Sequence, residues 1–299
     1  MRLLTLKFPT FIIVAGRYFP RLYRGIFITI ICALLTIGLT ACFGPPTAKT
    51  SDQDFLNFAH QKVTYGDKEI SFVENGKLDG FPIIFVHGTP GSAQTWADVL
   101  GQVPDEFRYI SFDRLGFGEE GNDIAETSLA QHAESLLAIA EQVTDKKPIL
   151  VGHSYGGPVV VQAALDYPDR FSGIVVAAGA LDPALEEIHI LQHVGNLWPI
   201  SHLLPATIGN ANQELMALKD ELNKLKPRLN NLSVPVAIVH GEVDELVPVE
   251  NVSFMKTHFP QQTIVKTDLI EGQNHFLPWN SIAALQEAIN AIHNTTGVN

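Results

Sequence analysis

Five short runs rich in β-branched and aromatic residues constrain the fold of this chain more than any other feature. They begin at residues 82, 108, 148, 173 and 235 and read PIIFV, RYISF, PILV, GIVVA and PVAIV. Runs that lack polar alternation are typical of strands buried on both faces of a parallel sheet. Because stretches of helical periodicity such as SLAQHAESLLAIAEQV separate them, we predict an α/β fold with a mostly parallel, doubly wound sheet.

Two regions depart from this alternation. Before the first run, VTYG and EISFVENG are typical of a hairpin of two edge strands. Between Ala180 and Val234 no stretch resembles a core strand, although the segment contains helical patterns and many Leu and Ile residues. Because long insertions in compact domains are usually functional, we predict a helical lid at about 181–232. It faces the substrate, packs on the main domain, or does both.

The N-terminus differs in composition from the rest of the chain. Residues 1–41 contain five basic residues and no acidic residue, and 26–41 is an almost unbroken apolar run. This layout is typical of a secretory signal peptide, and the run is shorter than the roughly 20 residues that span a bilayer. We therefore predict a signal peptide at 1–41, a tether at 42–60 and the folded domain at 61–299.

The sequence Leu-Thr-Ala-Cys that ends at Cys42 resembles a bacterial lipoprotein box. This resemblance implies that Cys42 is acylated and that the protein is an exported, membrane-anchored lipoprotein, in the outer membrane and periplasm or at the cell surface. Phe43, rather than Asp, mildly favours the outer membrane of a Gram-negative cell. An ordinary signal peptide or an uncleaved anchor are the alternatives.

Cysteine content indicates how the domain is stabilised, and charge indicates which partners it does not bind. The two cysteines, Cys32 and Cys42, both precede it, so the domain forms no disulfide and depends on its core for stability. The formal net charge is −12 at pH 7, and the first 41 residues carry basic groups only. We therefore expect no nucleic-acid partner. The oligomeric state is not predicted.

The sequence Gly152-His153-Ser154-Tyr155-Gly156 matches the pattern G-x-S-x-G, with a strand pattern before it and a helical pattern after it. In this context the serine lies on a sharp strand-to-helix turn, where flanking glycines avoid collisions. We predict that Ser154 is a nucleophile. The alternative is an ordinary loop.

A serine hydroxyl needs a base, and the base needs a carboxylate that orients it. In the chain order Ser, acid, His, the carboxylate is Asp244 in the loop GEVDELVP, with Glu242 and Glu245 as weaker alternatives. The histidine is His275, in the loop EGQNHFLPW that follows the last strand pattern. We predict a Ser154, Asp244 and His275 triad.

Acyl transfer also requires donors for the oxyanion. We predict that these are the backbone N–H of Tyr155, next to the nucleophile, and that of Thr89 in HGTPG. The alternative for HGTPG is a simple Gly-Pro turn.

We predict neither a metal site nor another cofactor. His189 and His193 stand four residues apart, a spacing that can bind zinc on a helix. No third ligand is evident for this pair.

Five motifs occur in the order found in the alpha/beta-hydrolase superfamily, which the chain resembles from about Gln61 to Asn294. They are HGTPG, DRLGFG, GHSYGG, GEVDELVP and GQNHF. Glu119 is a departure, because the family often has Ser or Thr shortly after the last glycine of the second motif. The resemblance implies the alpha/beta-hydrolase fold and serine hydrolase chemistry.

We expect a carboxylesterase-like serine hydrolase that cleaves a carboxylic ester, thioester or amide through an acyl-enzyme on Ser154. The expected substrate is a small ester-type molecule with an apolar part, because the predicted lid is apolar. Other triad chemistry on the same fold is an alternative, namely an aminopeptidase, a carbon–carbon bond hydrolase or a perhydrolase. A non-catalytic, surface-anchored binding protein is the alternative from another class.

Overall fold

The computed structural model describes residues 46, 48–50, 52–118, 124–187, 192–193 and 204–297. The predicted signal peptide, Cys42, Phe43, Glu119 and His189 lie outside these residues, as do 188–191 and 194–203 of the predicted lid. None of the helices in the described ranges combines the length and the hydropathy that a bilayer span requires.

Eight strands form a single sheet in the order β1-β2-β4-β3-β5-β6-β7-β8. β1 pairs antiparallel with β2 and β2 pairs antiparallel with β4, whereas all other neighbours are parallel. The mostly parallel sheet is therefore confirmed, and the hairpin lies at one edge. The strands are β1 Ala59–Tyr65, β2 Lys68–Gly76, β3 Phe81–Val86, β4 Phe107–Phe112, β5 Ile149–His153, β6 Gly173–Ala177, β7 Val236–Gly241 and β8 Ile264–Ile270.

Helices cover both faces of this sheet, as expected for a doubly wound fold. One core cluster joins the sheet to helices that contribute Leu136, Val160 and Leu222, and a second cluster contains Trp96 and Ile289 on the other face. Strands β3, β5, β6 and β7 are buried along their whole length. The helices are α1 Asp52–Leu56, α2 Ala97–Leu100, α3 Leu129–Val143, α4 Gly156–Asp166, α5 Ala206–Leu225, α6 Glu250–His258, α7 Leu277–Asn280 and α8 Ile282–Thr295.

Helix α5 is the main described element of the inserted segment. It buries Leu218, Leu222 and Leu225 in the same cluster as the sheet. This helix therefore packs on the main domain, which is one of the two roles that the sequence left open for the insertion.

The second half of the predicted tether is attached to the domain. The backbone N–H groups of Lys49 and Thr50 donate to the two carboxylate oxygens of buried Asp98, at 2.9 and 2.5 Å. Phe55 and Phe58 then pack against a core cluster. Because the contacts with Asp98 are made by backbone groups, the polar sequence around Lys49 and Thr50 gives no sign of them.

We expect the substitution Asp98→Ala to release this segment, because it leaves two backbone N–H groups without their acceptor. Hydrogen bonds to a charged group contribute about 1.5–3 kcal/mol, so the free energy of unfolding should fall by about that amount. Limited proteolysis between residues 47 and 58 should also be faster. Asp105→Ala, which removes an exposed carboxylate, is the matched control. Equal proteolysis of the two variants would contradict this account.

Candidate active site

Ser154 lies on a tight turn between β5 and α4. Its φ is 56°, in the left-handed region that residues with side chains rarely adopt. A Cβ atom on Gly152 would lie 2.2 Å from the carbonyl oxygen of Gly156, and one on Gly156 would lie 2.3 Å from that of Val86. The two glycines of the motif are therefore steric requirements of the turn.

The loop after β3 passes directly beside this turn. A Cβ atom on Gly88 would lie 2.8 Å from Cβ of Ser154 and 3.3 Å from its Oγ. Thr89 is the next residue, and Tyr155 directly precedes the first residue of α4. The two predicted oxyanion donors therefore belong to segments that meet at Ser154.

Asp244 and His275 are joined by a hydrogen bond of 2.8 Å between Oδ2 of the aspartate and Nδ1 of the histidine. Both residues are buried, in the loops that follow β7 and β8. The other carboxylate oxygen accepts from the N–H groups of Leu246 and Val247, at 2.9 and 2.8 Å. Because the carboxylate only accepts, Nδ1 of His275 carries the hydrogen and Nε2 has a free lone pair.

Electrostatics keep this carboxylate ionised. Burial by itself raises the pKa of Asp244, but the hydrogen bond and charge of His275 and the Val247 N–H outweigh burial and lower it. Glu242, a weaker alternative in the sequence, instead accepts from the N–H of Gly272 at 3.4 Å, and Glu245 is exposed.

His153 connects the serine turn to the histidine loop. Its Nε2 lies 2.9 Å from the carbonyl oxygen of His275, within hydrogen-bond distance. Burial, followed by the nearby His275, lowers the pKa of His153 to about 3, so this ring is neutral near pH 7. His153 is buried, and its contact with the carbonyl oxygen of His275 joins the two loops.

These contacts place Ser154, Asp244 and His275 at the carboxyl ends of β5, β7 and β8, which are parallel strands of one sheet. No hydrogen bond among the described residues involves Oγ of Ser154 or Nε2 of His275. Hydrogen bonds of a general base often tighten only when substrate binds. The catalytic roles of the three residues stay predictions, as do those of the two oxyanion donors.

The structure adds residues that sequence reasoning did not assign to the site. Arg114, inside DRLGFG, is buried and donates to the carbonyl oxygens of His87 and Gly88 at 3.0 Å each. Its guanidinium also binds the carboxylate of Glu214 on α5, with contacts of 2.5 and 3.0 Å. The motif could have drawn attention to Arg114, whereas no sequence signal marks Glu214.

The ionised state of Glu214 depends on this pairing. Burial alone raises the pKa of its carboxyl group, but the charge of Arg114 and the hydrogen bonds from His132 and Arg114 lower the pKa from 4.5 to about 2. His87, which lies beside the guanidinium, has a pKa well below 6.5, mainly because it is buried and also because Arg114 is near. The carboxylate of Glu214 is therefore ionised near pH 7 beside the Arg114 guanidinium, and the neighbouring ring of His87 is neutral.

Comparison with known proteins identifies the fold. A family model described as alpha/beta hydrolase fold matches residues 82–200. The structure of CarC, a serine hydrolase involved in carbazole degradation, has a TM-score of 0.62 and 18% sequence identity, and the match covers 80% of this chain and 99% of that one. The chain has the alpha/beta-hydrolase fold.

Curated relatives match this chain over part of their length. Protein YqjL of Bacillus subtilis, which is uncharacterised, is 27% identical over 172 residues, covering 57% of this chain and 66% of YqjL. The pimeloyl-[acyl-carrier protein] methyl ester esterase of Edwardsiella ictaluri is 33% identical over 105 residues, covering 35% of this chain and 38% of the esterase. The chain therefore spans less than two thirds of each of these two relatives.

Because the pKa of Glu214 is lower in the folded protein than in the unfolded chain, we expect the protein to lose stability in acid. Below about pH 4.5 the unfolded chain binds a proton at Glu214 that the folded chain excludes until about pH 2. The free energy of unfolding should therefore fall as the pH decreases through this range. Glu214→Gln removes this component and should show a shallower pH dependence in urea unfolding. Parallel pH profiles for the two proteins would contradict the assignment.

Proposed function

We propose that the protein is a carboxylesterase-like serine hydrolase that cleaves a carboxylic ester, thioester or amide through an acyl-enzyme on Ser154. The enzyme is a hydrolase of the alpha/beta-hydrolase type. The observation that carries this proposal is the 2.8 Å hydrogen bond between Asp244 and His275, at the same edge of the sheet as the Ser154 turn. A turn that presents a hydroxyl beside a preoriented imidazole is the arrangement that acyl transfer requires.

In the first half of the reaction, Oγ of Ser154 attacks the substrate carbonyl carbon while Nε2 of His275 takes the hydroxyl proton. Asp244 stabilises the imidazolium and holds the ring in the tautomer that leaves Nε2 free. The N–H groups of Thr89 and Tyr155 bind the oxyanion of the tetrahedral intermediate. Donors that are already in place when charge develops lower the barrier because they need no reorganisation.

In the second half, His275 returns the proton to the leaving alcohol, thiol or amine as the bond to the carbonyl carbon breaks. Water then attacks the acyl-enzyme, and His275 takes one of its protons. Collapse of the second intermediate releases the carboxylic acid and restores the hydroxyl of Ser154. Every proton passes through one imidazole nitrogen, which is why its fixed tautomer matters.

Two observations support a small ester with an apolar part as substrate. Val243 and Leu246, which lie one and two residues from Asp244 in its loop, expose about half of their surface, so this loop presents apolar side chains to solvent. The relative from Edwardsiella ictaluri is a methyl ester esterase, and CarC is a serine hydrolase. The charge of the chain, −12 at pH 7, does not favour nucleic acid as a partner.

We expect a fluorophosphonate probe to label the wild-type protein and not Ser154→Ala, because the probe reacts with activated serine. Ser253→Ala, at an exposed position of α6, should be labelled like the wild type. Hydrolysis of p-nitrophenyl esters should fall by at least roughly 10⁴-fold in Ser154→Ala. A series of acyl chain lengths, with a matched p-nitroanilide, measures the chain-length and ester preferences.

The proposal fails if the wild-type protein is not labelled or if Ser154→Ala is labelled equally. In that case a non-catalytic, surface-anchored binding protein becomes the better description. Mass spectrometry of the labelled peptide identifies the modified serine directly.

We also propose that the protein is exported and held at a membrane by a lipid on Cys42. The basic and apolar segments before it and the sequence LTAC support this proposal. Several acyl chains give a stable membrane attachment, whereas one gives marginal attachment.

Expression of the full chain in a Gram-negative host tests the anchor. The wild type should incorporate an alkyne-labelled fatty acid and sediment with membranes. Cys42→Ser should lose both properties, because no thiol remains for acylation, whereas Cys32→Ser should incorporate the label normally. Label on Cys42→Ser, or none on the wild type, would contradict the proposed attachment.

A further inference from the structure

A buried ion pair connects the inserted helix to the loop beside Ser154. Arg114 is 1% exposed and Glu214 on α5 is 0% exposed, and both guanidinium amino groups contact the carboxylate, at 2.5 and 3.0 Å. His132 completes the carboxylate shell with its Nε2, 3.0 Å from Oε1. The carboxylate is therefore held from two sides.

Arg114 uses the rest of its hydrogen-bonding capacity on the loop after β3. Its Nε donates to the carbonyl oxygen of His87, and its Nη2 donates to that of Gly88, both at 3.0 Å. Its backbone N–H donates to Nε2 of His87 at 3.0 Å. Nδ1 of the same ring therefore carries the hydrogen and donates to the carbonyl oxygen of Gly88 at 2.7 Å. Two donors thus fix the direction of the Gly88 carbonyl.

The direction of that carbonyl determines the direction of the Thr89 N–H. The carbonyl of Gly88 and the N–H of Thr89 belong to one peptide unit, which is planar. This unit is trans, so the two bonds point in opposite directions. Any rotation that moves the Gly88 oxygen away from Arg114 therefore turns the Thr89 N–H by the same angle.

Arg114 also contacts the second predicted donor segment. Its guanidinium carbon lies 4.7 Å from the centroid of the Tyr155 ring. One side chain thus touches both segments that supply oxyanion donors, and Glu214 holds that side chain in place.

The energetics of buried ion pairs indicate that the Arg114–Glu214 pair fixes the geometry of the loop and does not serve stability alone. The desolvation cost of a buried ion pair can exceed its Coulombic gain, and such pairs can be replaced by apolar residues without loss of stability. The cost of losing one partner is large, however, because a buried charge remains uncompensated. Without its carboxylate, Arg114 is expected to move and to release the two carbonyl groups that it binds.

We propose that Glu214 is a positioning residue of the oxyanion hole, which acts through Arg114 and the Gly88 carbonyl on the Thr89 N–H. This inference rests on the proposed serine hydrolase function. It makes the docking of α5 a condition for full catalysis, although Glu214 itself does not contact the reacting atoms.

The test compares Glu214→Gln with Glu221→Gln. Both glutamates lie on α5 and contact the main domain, but Glu221 accepts from the N–H of Leu129, whereas Glu214 binds the guanidinium of Arg114. Loss of an oxyanion donor costs about 10²–10³-fold in kcat, and a misdirected donor should cost less. We expect kcat for a p-nitrophenyl ester to fall about 10- to 100-fold in Glu214→Gln, with KM changed less than about twofold. Glu221→Gln should keep the wild-type kcat.

Two further measurements separate positioning from general destabilisation. An arylboronic acid forms a tetrahedral adduct with the serine that occupies the oxyanion hole, so its Ki should rise in parallel with the loss of kcat in Glu214→Gln. Hydrogen exchange of the amides of Gly88, Thr89 and Gly91 should be faster in Glu214→Gln than in Glu221→Gln. If Glu214→Gln does not fold, Glu214→Asp keeps the charge on a shorter side chain and should show the same changes to a smaller extent.

Wild-type kcat and Ki in the folded Glu214 variant, or unchanged exchange at 88–91, would overturn the inference. Hydrogen exchange does not require turnover. Faster exchange at 88–91 in a protein whose wild type hydrolyses no ester would therefore support the link between Glu214 and the loop while the proposed function fails.

Discussion

The close approach of β5 and α4 at Ser154 determines the arrangement of the rest of the site. There is no room for a side chain at Gly152 or Gly156, because the backbone of the helix and the end of β3 occupy that space. The serine is consequently held at a φ of 56°, an unfavourable conformation that persists only when surrounding contacts enforce it. The burial of β3, β5 and β6 on both faces supplies that enforcement, so the turn is a product of the sheet's core.

Polar contacts then connect segments that are distant in sequence. His153 joins the serine turn to the His275 loop, Asp244 orients the imidazole, and Arg114 joins the loop after β3 to helix α5. Each of these side chains is buried, so an unmet hydrogen bond would cost more here than at the surface. The loops that carry the predicted reacting groups are therefore held in place by buried side chains that do not react themselves.

Much of this could be predicted from the sequence, because its patterns are local. The strands appear as short apolar runs, the nucleophile turn has its own glycine spacing, and the order Ser, acid, His restricts the partners to a few loops. That order favours Asp244 as the partner of His275 but does not by itself separate it from Glu242, which contacts Gly272 in the structure.

The other contacts of the site and of the N-terminal segment could not be predicted, because no local sequence pattern marks them. Glu214 lies in a charged amphipathic helix, where a glutamate is usually solvated, and its partner Arg114 is distant in the chain. The docking of Lys49 and Thr50 on Asp98 uses backbone N–H groups, which every sequence offers equally. Burial of charge and backbone recognition are therefore properties of the folded chain, and a single sequence does not reveal them.

If Cys42 is acylated as proposed, the attachment of Lys49 to Asp98 limits the distance between the domain and the membrane. A fully extended chain covers at most about 3.6 Å per residue, so the stretch from Cys42 to Lys49 reaches roughly 25 Å. Under that proposal, the attached residues would lie within about 25 Å of the bilayer surface. The enzyme would sample molecules that partition into or leave the lipid headgroups far more often than those in the bulk solvent.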